Sequence, residues 1–94
     1  MANNLFVSYD LMKADKNYEA VIAAIKGISG MWAKVHFSLW YVKTDMPANQ
    51  VAQKIWAVMD SNDRLIVIDA TNKTSYWYNL DKNVETYIQG HWTT

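Results

Sequence analysis

The chain contains no cysteine, which excludes a disulfide framework, thiolate catalysis and any zinc site built on sulfur, and fits a reducing compartment. Only three glycines and one proline are present, and no Gly-rich loop is set up to cradle phosphates. Neither charge sign dominates: nine Lys plus Arg stand against nine Asp plus Glu. The basic excess that marks a phosphate-backbone binder is therefore missing, and nucleic-acid binding would have to come from a local patch. Ser-His-Asp order and His-x-x-x-His metal spacing are absent as well. No apolar run approaches the ~18–20 residues that cross a bilayer, and Met1-Ala2-Asn3-Asn4 carries no basic export signal. The expectation is a soluble cytoplasmic protein with no membrane partner.

What is present is apolar and aromatic. The 94 residues are 51% hydrophobic, enough for one core and too few for a second domain, so residues 1–94 read as a single unit. Trp32, Trp40, Trp56, Trp77 and Trp92 are more indoles than one layer of helices covers easily, which points to burial of some between subunits.

Leu5 to Leu11 alternates and ends near Asp10 as a first strand, and Lys13-Ala14-Asp15-Lys16-Asn17 breaks the pattern. Tyr18, Val21, Ile22, Ile25 and Ile28 form the apolar stripe of a helix over about 17–28, closed by Gly27 to Gly30. From Ala33 the odd residues Val35, Phe37, Leu39 and Tyr41 read as a core face, with Lys34, His36, Ser38 and Trp40 opposite. This stretch is either one long strand to Thr44 or two strands bent near Ser38 and Trp40. Asp45 and Pro47 signal the start of a second helix over about 47–59, with Val51, Ile55, Val58 and Met59 as its stripe and Asp60-Ser61-Asn62-Asp63 as its close. Leu65-Ile66-Val67-Ile68 is apolar on both faces, as a central strand is, and Thr71-Asn72-Lys73 reads as the turn of a hairpin into Ser75-Tyr76-Trp77-Tyr78. Val84, Tyr87 and Ile88 then suggest a short terminal helix that docks on a partner.

This order predicts an α+β, ferredoxin-like βαββαβ-type sheet with two helices on one face and an extra C-terminal strand or short helix. The other sheet face, where Trp40 and Trp77 are expected to emerge, needs a cover. A second copy related by two-fold symmetry supplies one, so a homodimer is expected.

The Val7-Ser8-Tyr9-Asp10 strand end, the Lys34-Val35-His36-Phe37-Ser38-Leu39-Trp40 strand and the Asp63-Arg64-Leu65-Ile66-Val67-Ile68 strand resemble the small CRISPR-associated Cas2 superfamily. They are most similar to its relatives labelled SinR family, over about residues 5–80. The resemblance implies a ferredoxin-like homodimer associated with nucleic acid. It also implies metal-dependent nuclease activity, with Mg²⁺ held by the Asp that ends the first strand, here Asp10, and with Ser38 as a further candidate. Where the family's second strand reads Arg-x-Gln-x-Ser, this chain has Lys34, His36 and Ser38.

The residues themselves leave alternatives open. Asp10 from two subunits could hold Mg²⁺ and its waters against a phosphodiester, with Ser8 or His36 nearby; equally, Asp10 could cap its own loop. His36 is a candidate general base or an interface side chain. Asp69 could face Asp10 as a carboxylate pair, or form a turn before Thr71. Tyr76, Trp77 and Tyr78, with Trp40 and Tyr41, offer ring faces worth ~1–3 kcal/mol per stacked base, or simply pack an interface. Lys13, Lys16, Lys34 and Lys43 make a modest phosphate patch or a solvated surface. The candidate catalytic residues are thus Asp10, Ser38 and His36, with Asp10 the metal ligand. Lys13, Lys34, Trp40 and Trp77 are the candidate contacts to nucleic acid or a nucleotide.

Three functions fit these features: a nucleic-acid-associated dimer with Mg²⁺-dependent endonuclease chemistry, a non-catalytic dimer that binds a small nucleotide or a protein in defence or counter-defence, and a purely structural module. The first is the expectation, with the second as its alternative.

Overall fold

A computed structural model describes residues 2–11, 18–73 and 76–92. Its elements are β1 (Asn3–Asp10), α1 (Tyr18–Lys26), β2 (Met31–His36), β3 (Leu39–Thr44), α2 (Ala48–Trp56), β4 (Arg64–Asp69) and α3 (Lys82–His91). The strands form one four-stranded sheet in the order β2-β3-β1-β4, and every neighbouring pair is antiparallel. This is a small α+β fold, compatible with the ferredoxin-like class, in which β3 is inserted between the two strands that α1 connects.

Alternation in β1 creates two cores. Its odd residues Leu5, Val7 and Tyr9 face α1 and α2, where they meet Val21, Ile25, Val51 and Ile55 together with Trp40 and Val42 of β3. Each fully buried aliphatic side chain in this layer contributes ~1.5–3 kcal/mol relative to exposure. The two helices therefore share one face, and their buried positions, Val21 with Ile25 and Val51 with Ile55, belong to the sequence stripes, whereas Val58, placed in the second stripe, lies beyond α2 and is exposed. Pro47 caps α2 in extended backbone, and its carbonyl accepts the N–H groups of Gln50 and Val51, both at 3.1 Å. No side-chain cap bond is made there, so Asp45 does not play the capping part.

The second core corrects the expectation for the other face. Ala33, Tyr41 and Ile88 are buried together, with Phe6, Val35, Trp77, Val84, Tyr87 and Trp92 packed around them. The terminal helix thus docks on its own sheet and covers part of the face that had been assigned to a partner. Its amphipathic stripe finds a surface already lined by Tyr41 and Ala33, and an intramolecular surface is available at no cost in association entropy.

Residues 31–44 are two strands rather than one. Ser38 takes the left-handed backbone at φ 68°, which reverses the chain, and a bulge between Lys34 and His36 sets two residues of β2 against one of β3. The even residues Trp32, Trp40 and Val42 consequently face the helices, while the odd Tyr41 lies fully buried beneath α3. Trp40 does not emerge on the other sheet face: it is 2% exposed in the main core.

Two further expectations change. β4 pairs with β1 alone and forms an edge of the sheet, not its centre, because β1 takes the position between β3 and β4. Tyr76, Trp77 and Tyr78 form no strand, and Ser75 lies outside the described residues. Among the described residues, no helix is long and apolar enough to cross a membrane.

Candidate functional site

The carboxyl end of β1, the β2–β3 turn and the start of β4 meet at one end of the sheet. Asp10 lies opposite Arg64, Ser8 lies between Leu39 and Ile66, and the Tyr9 N–H donates to the Ser38 carbonyl at 3.2 Å. Antiparallel pairing dictates this gathering, since β1 must end where β3 and β4 begin. Ser8, Tyr9, Asp10, Arg64, Leu65 and Ile66 line a hollow of about 180 Å³. A guanidinium, a carboxylate and a hydroxyl thus share a shallow depression bordered by the apolar side chain of Ile66.

Of the candidate catalytic residues, Asp10 is exposed at this end. Ser38 is half-buried in the adjoining turn, where its backbone sets the hairpin. His36 is exposed and its Nδ1 donates to the neighbouring Phe37 carbonyl at 3.2 Å. The structure brings the three to one end of the sheet.

Asp69 does not join them. It lies opposite Leu5, whereas Asp10 lies opposite Arg64, so the two carboxylates sit five β1 residues apart, ~17 Å along the strand. The antiparallel course of β4 puts its carboxyl end at the far end of the sheet. There the Asp69 carboxylate accepts the Thr71 N–H at 3.0 Å and the Thr71 hydroxyl at 2.5 Å, a turn-forming duty.

The Mg²⁺ implied by the family resemblance would need several hard oxygen ligands. Asp10 instead has a guanidinium residue as its cross-strand neighbour, and no three His, Cys, Asp or Glu side chains cluster among the described residues. The described residues of one chain do not fit a metal centre at Asp10.

The candidate contact residues scatter. Lys13 lies outside the described residues, as does Lys16. Trp40 is too deeply buried to stack a base, and its indole Nε1 is enclosed without a hydrogen-bond acceptor among the described residues. Trp77 is half-buried against the second core. Lys34 is exposed, with its Nζ 5.9 Å from the Trp40 ring centroid and 6.0 Å from that of Phe37. Tyr76 and Tyr78 are 84% and 78% exposed and meet edge to face at 5.4 Å.

Three features of the structure have no plain signature in the sequence. Lys26 sits 4.6 Å over the Trp32 ring on the helix side of β2, a cation–π contact between residues with no local spacing signal. Beneath α3, the Tyr41 hydroxyl donates between Asn4 Oδ1 at 2.9 Å and the His91 carbonyl at 3.1 Å. Burial, and secondarily the charge of Tyr87, push the Tyr41 phenol up from its ordinary 10.0 to about 12. The third feature is the open part of the second sheet face, where Ile66 and Ile68 are 56% and 51% exposed. The apolar run of β4 was the available signal, but its reading as a central strand concealed the exposure.

No family model matches this chain, and no curated protein matches it.

Proposed function

We propose that this protein is a non-catalytic interaction module that acts as a homodimer. The carrying observation is the pair Ile66 and Ile68, both more than half exposed on a sheet that is otherwise packed on both faces. The first face is closed by α1 and α2, and α3 closes the β2–β3 side of the second. The β4 side of that second face is left open beside the hollow formed by Ser8, Asp10 and Arg64. An apolar surface rimmed by such polar groups is what a protein-binding site presents. The resemblance of the Val7–Asp10 and Asp63–Ile68 segments to the Cas2 superfamily supports the homodimer part of this reading. The nuclease part finds less support, because Asp10 has Arg64 rather than a second carboxylate beside it.

Sedimentation velocity over a range of protein concentrations tests the association, and incubation with labelled RNA and DNA in Mg²⁺ or Mn²⁺ tests the chemistry. The expected result is a reversible dimer that leaves both nucleic acids intact. A monomer at all concentrations, or cleavage abolished by Asp10→Ala, would overturn the proposal.

A further inference from the structure

We infer that the two copies join edge to edge through β4, antiparallel about a two-fold axis near Val67, to make one continuous sheet. The inference deepens the homodimer reading and rests on it.

The two edges of the sheet differ. β2 carries a bulge and the exposed Lys34, two devices that discourage strand addition. β4 reads Arg64-Leu65-Ile66-Val67-Ile68-Asp69, with no proline, no lysine and a regular register against β1. β4 thus lacks the proline, lysine and bulge by which edge strands resist pairing with another strand. Among the described residues β4 has one neighbour, and the missing one is supplied by a second copy.

The hydrogen-bond phase shows which groups are open. The Tyr9 N–H donates to Ser38 and the Ala70 N–H donates to Asn4, so even residues of β1 face β4 and even residues of β4 face β1. The backbone N–H and C=O groups of Leu65, Val67 and Asp69 therefore point to the open edge. A two-fold axis normal to the sheet keeps each face continuous, so opposed residues must share a face. With Val67 on the axis, it opposes its own copy, and Leu65 opposes Asp69 of the second copy. Each outward group of the three residues then finds a partner. Ile66 opposes Ile68 of the second copy as a non-hydrogen-bonded pair, in which side chains approach most closely. The four exposed isoleucines of the two copies form one apolar patch.

Charge favours the same direction. Arg64 opens the strand and Asp69 ends it, so antiparallel pairing sets the cationic end of each copy beside the anionic end of the other, whereas parallel pairing would set like against like. The same geometry sends the two Asp10 side chains to opposite ends of the joined sheet, so this dimer does not create a carboxylate pair.

The test uses the absence of native cysteine. An equimolar mixture of Ile66→Cys and Ile68→Cys chains, oxidised gently, is expected to give a mixed disulfide dimer, because opposed non-hydrogen-bonded residues have the Cα separation a disulfide requires. Ile66→Cys alone is expected to cross-link poorly, and Ile66→Lys with Ile68→Lys to remain folded by circular dichroism yet sediment as a monomer. A dimer that survives both lysines, or cross-linking of Ile66→Cys to itself in preference to Ile68→Cys, would overturn the β4 register while leaving the homodimer intact. A monomeric wild type would overturn both. Binding of a foreign extended peptide to β4 by a wild-type monomer would likewise overturn pairing between copies.

Discussion

Tyr41 and Asn4 lie 37 residues apart in the chain, and the Tyr41 hydroxyl reaches the Asn4 side-chain oxygen at 2.9 Å inside the second core. The same hydroxyl lies 3.1 Å from the His91 carbonyl, so one proton is shared between the sheet and the end of α3. Trp92 then stacks on the Tyr41 ring at 5.9 Å and donates its Nε1–H to the Lys73 carbonyl at 2.8 Å. These contacts fasten the terminal helix to the sheet and leave the β4 side of that face free.

Removal of the hydroxyl in Tyr41→Phe is expected to cost about 1–2 kcal/mol, the range for a buried hydrogen bond. For a domain of this size that corresponds to a fall in Tm of roughly 4–8 °C per kcal/mol. Calorimetry checks it, and an unchanged Tm would remove Tyr41 as the anchor of α3.

The raised Tyr41 phenol gives stability a defined alkaline limit. The folded state holds the proton up to about pH 12 while an unfolded tyrosine releases it near 10.0. Below pH 10 the two states bind the same proton. Between 10 and 12 the folded state binds more, so stability falls as pH rises, by about 3 kcal/mol in total. Chemical denaturation across this window is expected to show the decline, with a smaller one in Tyr41→Phe.

Ile55 is fully buried whereas Val58, just beyond α2, is 46% exposed. Ile55→Ala is expected to cost about 2–5 kcal/mol through lost transfer energy and the cavity left behind. Val58→Ala is expected to stay within about 0.5 kcal/mol. Equal effects in urea unfolding would contradict the core assignment.

At Ser38 the backbone itself is the target. Its φ of 68° costs a side-chain-bearing residue ~1–2 kcal/mol, a cost that glycine escapes. Ser38→Gly is therefore expected to leave stability equal or higher, and Ser38→Val to lower it by more than 1 kcal/mol. A large loss of stability in Ser38→Gly would assign the hydroxyl a structural duty that the turn does not show.

Helices α1 and α2 were legible because Val21 with Ile25, and Val51 with Ile55, repeat at helical spacing and bury one face. β1 was legible from strict alternation. The faces of residues 31–44 were not, since the left-handed turn at Ser38 and the neighbouring bulge arise from pairing geometry. The edge position of β4 escaped for a related reason: its composition reports how apolar its surroundings should be, while its neighbours are chosen by β1 and β3 far away in the chain. Of the candidate site, the gathering of Asp10, Ser38 and His36 follows from antiparallel strands, whereas Arg64 beside Asp10 depends on a register that no local motif encodes.

The most direct measurement is amide hydrogen exchange by NMR at Leu65, Val67 and Asp69 over a range of protein concentrations. β4 pairing between copies predicts protection of these three amides at high concentration and its loss on dilution, while Ile66 and Ile68, bonded to β1, stay protected throughout. Rapid, concentration-independent exchange at Leu65, Val67 and Asp69 would mean an edge that stays open, and would contradict the account.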